Sequence, residues 1–200
     1  MTALRKILPS ESGQALVELG LILPLLLVLA LGAIEISNII YTYLVLTHLT
    51  REGGNMISRG TPADLGGANY GASSSPDYDA LDAIVDSSAP VITPGNQSRW
   101  RIYYSMIGPS NPAGCLAAPV TTNPACNYVV QPQISRGALA DVASVIGLSG
   151  GPPDLPNLPS VAPGRTFYAV EVFYQYAPIT PLANFGVALA GAPFYERAIF

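Results

Sequence analysis

The sequence predicts an α+β protein in which a long N-terminal transmembrane helix packs on a small, mostly antiparallel β-sheet with short accessory helices. Three observations carry that expectation. Residues 13–34, GQALVELGLILPLLLVLALGAI, form an apolar run interrupted by one carboxylate, Glu18. Residues 99–107, RWRIYYSMI, and 165–176, RTFYAVEVFYQY, alternate in side-chain character, which is the period of a strand. Charged residues make up only 11% of the chain, well under the roughly 25% of an ordinary soluble domain, so part of the chain is suited to lipid.

Residues 1–13 read as a basic leader: Arg5 and Lys6 precede the apolar run, and Pro9 and Ser10 break any helix ahead of it. The positive-inside tendency keeps such a segment in the cytoplasm. From Leu19 to Ile34 no charge occurs, and extension back to Gln14 gives close to the ~20 residues that cross a bilayer, so residues 14–34 are expected to be the transmembrane helix. A secretory signal would end in a small-residue cleavage motif. Here apolar character continues into Ile36, Ile39, Ile40, Tyr43, Leu44 and Leu46. The helix is therefore expected to run to about Met56, kinked at Pro24, with residues 35–59 as its continuation outside the membrane. In that second half Ile36, Ile40, Tyr43, Leu44 and Thr47 are expected to lay one face on the domain, with Gly53, Gly54 and then Gly60 to Pro62 loosening and ending the helix.

Residues 60–200 make the extracytoplasmic α+β domain. A Gly/Ser/Ala loop fills 60–76, and a short helix is expected over 77–88 with Leu81, Ile84 and Val85 inward. Residues 99–107 read as a half-buried strand with Trp100, Ile102, Tyr104 and Met106 on one side. Residues 127–135 read as a short strand cut by Pro132, and 136–148 as a second small helix with Leu139, Val142 and Ile146 on one face. After a Pro-rich connection, 150–164, comes the strand over 165–176, whose face Tyr168, Val170, Val172, Tyr174 and Tyr176 belongs to the core. Pro178 and Pro181 end it, and the tail 194–200, FYERAIF, is expected to pair antiparallel with it as the last element. There is no internal repeat.

Charge and composition exclude several functions. A net charge of -4 without any run of Lys or Arg does not suit nucleic acid, whose phosphates call for a basic stripe. Cys115 and Cys126, in one polar Pro-rich stretch, are expected to close a short disulfide loop in an oxidising compartment, stabilising by about 2–3 kcal/mol. Gly147-Leu148-Ser149-Gly150-Gly151 satisfies G-x-S-x-G, but Pro152 and Pro153 follow it and the only histidine, His48, lies on the long helix, so it reads as a linker. His48 has no second histidine or cysteine at ligand spacing. Asp77, Asp79, Asp82 and Asp86 lack the glycine and terminal glutamate of a calcium loop and suit a helix start instead. The expectation is a protein with no enzymatic set, no metal and no cofactor.

Glu18 is the anomaly, because a carboxylate within a lipid-embedded segment costs roughly 2.5–3.5 kcal/mol on insertion scales. It either marks the membrane boundary or has a partner. Gly13-Gln14-Ala15-Leu16-Val17-Glu18 followed by an apolar run with Pro24 resembles the class III prepilin leader of TadE-like proteins, pilin-like minor components (pseudopilins) of tight-adherence (Tad/Flp) pilus systems. Gly32-Ala33-Ile34-Glu35 and Leu49-Thr50-Arg51-Glu52-Gly53-Gly54 resemble the end of that family's helix, and residues 170–181 before a closing strand resemble its C-terminal part. The resemblance implies that a prepilin peptidase cuts between Gly13 and Gln14. Glu18 then becomes mature residue five, where it meets the N-terminal ammonium of a neighbouring subunit. Glu35 reads as a second acid, at the outer membrane boundary.

What the resemblance implies about function is a part in the assembly or structure of a pilus that serves adhesion, biofilm formation or secretion. The implied partners are other pilin-like subunits, the Tad assembly machinery, the peptidase and membrane lipid. The implied location is the cytoplasmic membrane, single-pass, with the N-terminus inside and the domain outside or incorporated in a surface fibre. The alternative is a plain membrane-anchored binding module unrelated to pili, for which Tyr103, Phe167 and Phe173 would supply a contact patch unless loops cover them.

Overall fold

The computed structural model describes residues 11–58, 85–109, 128–154, 166–181 and 192–200. The leader up to residue 10, the loop expected over 60–76, most of the helix expected over 77–88, and Cys115 and Cys126 lie outside them. The first element is one helix, α1, Glu11–Ser58, 48 residues with Pro24 inside it. At 1.5 Å per residue it is about 72 Å long, more than twice the ~30 Å hydrocarbon core of a bilayer. Its best apolar window is 6% buried, and α1 is long and apolar enough to cross a membrane.

Four strands follow: β1, Trp100–Pro109; β2, Tyr128–Gly137; β3, Phe167–Tyr174; and β4, Phe194–Ile199. They form one sheet in the order β2-β1-β3-β4, each pair antiparallel. The tail pairs with β3 as its alternation requires, Val172 opposite Glu196 and Glu171 opposite Arg197. Pro132 does not cut β2. Ser105 pairs with Gln133 and Ile107 with Val130, so Gln131 and Pro132 together oppose Met106 in a bulge. The edge position of β2 tolerates the missing N–H there.

Both faces of the sheet are buried along the central strand β3, while the edge strand β4 is half-exposed. On one face, Ile102, Tyr104, Val170 and Val172 are fully covered, as their alternation predicts. Phe200 extends the β4 ladder opposite Tyr168, exchanging backbone hydrogen bonds of 2.9 and 3.0 Å, and its ring therefore lies on this same face. A Cβ on Gly54 of α1 would come within 1.7 Å of that ring. The helix crosses this face closely because Gly54 has no side chain. Gly53 and Gly54 thus sit buried inside the helix rather than ending it.

The other face is not a half-exposed surface. Phe173 is 6% exposed and Glu171 and Ala169 are 0% exposed, because residues 138–154 fold over them. Tyr103 Oη donates to Val142 O at 2.9 Å and Gln133 Nε2 to Gly147 O at 2.9 Å. The aromatic contact patch is therefore corrected: Phe173 is buried, and Phe167 packs against the cluster of Ile107, Tyr128, Val130 and Ile146. The helix expected over 136–148 is absent too. Arg136 and Gly137 end β2 and 138–148 are turns and irregular chain, with Gly137 at φ +88° and Asp141 at φ 60°, values no α-helix contains.

The chain divides into two compact units. One comprises Met1–Ile40 with Pro178–Leu189, the other Tyr41–Ala177 with Ala190–Phe200. The second contains the sheet, its covering loop and the C-terminal part of α1. The first brings a short piece that follows β3 alongside the N-terminal part of α1.

Candidate functional site

The helix α1 carries every residue singled out near the N-terminus. Gly13, Gln14 and Glu18 are helical and exposed, and the apolar side chains around them are bare, from 43% for Ile22 to 74% for Leu21. Among the described residues Glu18 has no hydrogen-bond or ion-pair partner. Nothing lies within 4 Å of where a Cβ would stand at Gly13, Gly20 or Gly32, so another helix can approach the backbone there closely.

Glu35 behaves in the opposite way. It is 2% exposed, and its Oε2 accepts the backbone N–H of Thr180 at 2.9 Å and the Thr180 hydroxyl at 2.6 Å. Both residues belong to the same compact unit. A buried carboxylate needs such donors to offset its desolvation, and the chain supplies them from the segment just after β3. Nothing in the local sequence around Glu35 announces Thr180, which lies 145 residues away.

Beyond Glu35 the buried stripe of α1 is Thr42, Leu46, Leu49 and Thr50, followed by Gly53 and Gly54. Ile36, Ile40, Tyr43 and Leu44, expected to face the domain, are 50–60% exposed. Apolar side chains recur on every side of the helix, and the inward face combines two of them, Leu46 and Leu49, with the small or hydroxyl-bearing Thr42, Thr50, Gly53 and Gly54. Polar groups along it are satisfied by its own backbone: Ser37 Oγ donates to Ala33 O at 2.9 Å and Thr47 Oγ1 to Tyr43 O at 3.0 Å. His48 makes an exposed i,i+4 contact with Glu52 at 3.1 Å. Beside it lies an open groove of about 310 Å³ between Tyr41, Leu44, Val45, His48 and Leu49 of α1 and Ser87 to Ala89.

A second polar centre sits in the sheet. The Glu171 carboxylate accepts from Val145 N at 2.9 Å, Ile146 N at 3.3 Å and Tyr195 Oη at 2.9 Å, and also from the Ser144 hydroxyl. It ties the 138–154 loop to β3 and β4. Burial, and then the neighbouring Glu171 charge, push the Tyr195 hydroxyl well above its ordinary value of 10.0. Tyr174 and Tyr128 shift the same way, also by burial first. A group with a raised folded pKa keeps its proton longer when folded than when unfolded. Its stabilisation is complete below the ordinary value and disappears as pH rises from there toward the raised one. Tyr195→Phe is expected to make the fall in unfolding midpoint above about pH 10 shallower than in the parent chain. An unchanged alkaline slope would contradict this.

The G-x-S-x-G segment has none of the surroundings of a nucleophile elbow. Gly147 and Gly150 have φ of +123° and +85°, Ser149 is exposed, and Gly150 N and Gly151 O bond Val130 at 2.7 and 2.9 Å, covering the outer edge of β2. Among the described residues no group of three or more His, Cys, Asp or Glu could hold a metal ion. Asp77, Asp79 and Asp82 lie outside them.

Fold and site together define an α+β protein that, among the described residues, has one long apolar helix followed by a small antiparallel sheet. Residues 13–55 match the model of the family described as TadE-like protein, and this stretch is TadE-like. The match opens on Gly13 and closes one residue after Gly54, which faces the Phe200 ring. No curated protein and no solved structure matches the chain.

Proposed function

We propose that this chain is a pilin-like minor component of a Tad/Flp-type pilus system, acting in the assembly or structure of the fibre. It is inserted in the cytoplasmic membrane through α1 with its N-terminus inside, and clipped between Gly13 and Gln14 by a prepilin peptidase. One observation carries this reading. The TadE-like match begins at Gly13, and over that same stretch α1 presents bare apolar surface interrupted by one unpartnered acid, Glu18. The neighbouring subunit's ammonium is the partner that acid lacks within its own chain.

N-terminal sequencing of the mature chain from its native membrane tests the cleavage. Gln14 as first residue supports it, and Met1 supports the plain anchored module. Gly13→Ala is expected to slow cleavage, so that the uncut chain accumulates; a mature mass unaffected by the substitution would remove the peptidase from the account. The anchored binding module loses its supporting feature, since Phe173 is buried under the 138–154 loop.

A further inference from the structure

We infer that the segment around Ile179 to Pro181 is a second membrane-contacting element, seated in the headgroup and acyl boundary beside α1. This rests on the reading of α1 as a membrane span and adds to it a surface that the apolar run does not contain. The first observation is position along the helix. Gln14 and Glu35 are 21 residues apart, roughly 31 Å along a helix at 1.5 Å per residue. That matches a hydrocarbon core of about 30 Å, so a helix entering lipid at Gln14 leaves it at Glu35. If Glu18 instead marks the inner boundary, Glu35 still falls within about 5 Å of the outer one.

The second observation is what the structure builds at that level. Thr180 reaches Glu35 Oε2 through both its N–H and its hydroxyl, which pins residues 179 and 181 to α1 at the same height. Ile179, adjoining Thr180, is 62% exposed, and on α1 the residues either side of Glu35 are exposed too, Ile34 at 51% and Ile36 at 59%. The carboxylate that would repel lipid is hidden, the isoleucines at its level reach out, and the one exposed polar side chain beside it among the described residues, Ser37, spends its hydroxyl on Ala33 O at 2.9 Å. With Glu35 covered, the exposed surface of α1 carries no formal charge from Leu19 as far as Arg51. The sequence on the other side is equally free of charge, from Val172 to Tyr195.

Physical chemistry selects the occupant. An apolar, uncharged surface continuous with a lipid-embedded helix lies in the interface, where elements sink about 5–10 Å into the headgroup and acyl boundary. Hiding the acid by intramolecular hydrogen bonds is what such a location requires, since insertion of a bare carboxylate is costly.

The test uses the full chain in phosphatidylcholine vesicles whose acyl chains carry bromine close to the headgroup, a short-range quencher of tryptophan. Trp100 is buried at 3% exposure and supplies a background measured on the parent chain. Ile179→Trp is expected to lose about half or more of its added emission in brominated vesicles, given the depth of an interfacial element. Ile22→Trp, about 12 Å inside the apolar run, reports insertion independently in a second set of vesicles whose acyl chains carry bromine near their ends. Quenching at position 22 without quenching at 179 overturns the inference and leaves the span standing. No quenching at either position overturns both. A blue-shifted but unquenched Ile179→Trp places protein, such as a second copy of the chain, over the segment, and also overturns it.

Discussion

Glu171→Ala is expected to destabilise the fold by about 3–5 kcal/mol, the cost of removing one partner of a buried charged cluster. The effect is large because four donors depend on one carboxylate. Ser144, Val145 and Ile146 bring theirs from the covering loop, and Tyr195 from β4. Truncation leaves them facing a cavity at a residue 0% exposed, each unmet buried donor costing on the order of 1–3 kcal/mol. Glu171→Gln keeps the shape but replaces one acceptor oxygen with a donor that points at donors, so an intermediate loss of about 1–3 kcal/mol is expected. Thermal unfolding of the detergent-solubilised chain reads both, with a fall of about 10 °C for the alanine variant in a chain of this size. A shift below about 3 °C would show that the loop holds without Glu171.

The same residue explains where the sequence was legible and where it was not. Alternation placed Glu171 in a strand and paired that strand with the tail, because a period of two has one meaning in an antiparallel sheet. It could not say that the second face was covered, since the cover is irregular. Leu139, Val142 and Ile146 are spaced like a helix, yet the N–H groups of Val145 and Ile146 go to Glu171 instead of a preceding turn. A local pattern carries no trace of an acceptor 25 or 26 residues away.

The helix failed differently. Its existence and length followed from apolar composition, but its inward face did not, because large apolar side chains recur on every side and leave little contrast to read. Ile36 and Leu44 were expected inward and are exposed, whereas Thr42, Thr50 and Gly54 lie inward. Close approach, of the kind the Phe200 ring makes to Gly54, selects small residues. Glu35 and Glu18 extend the contrast to charge. Their sequence settings are alike, each three residues beyond a small residue, Ala15 and Gly32, in an apolar run. Only tertiary structure separates the acid already satisfied by Thr180 from the acid still lacking a partner.

That separation gives Glu18→Ala two effects of opposite sign. Membrane insertion is expected to be as good as in the parent or better, because the substitution removes a group costing roughly 2.5–3.5 kcal/mol in lipid. Incorporation into fibres is expected to fall by about two orders of magnitude or more. On the proposed pairing, the N-terminal ammonium of the neighbouring subunit would lose its counter-charge in low dielectric, at a cost of about 3–5 kcal/mol, and each 1.4 kcal/mol is about a factor of ten in association. Glu18→Gln, which keeps an acceptor without the charge, should lie between. Quantifying the chain in washed membranes and in sheared surface fibres of the same cells separates the two effects. Parental incorporation of Glu18→Ala would refute the pairing, and a parallel loss from membranes and fibres would assign Glu18 to insertion instead. Glu35→Ala provides the contrast, because Glu35 is held by its own chain. Its loss frees Thr180 and acts on the fold of one subunit, whereas under the proposed pairing the loss of Glu18 lowers fibre incorporation without disturbing the fold of the subunit.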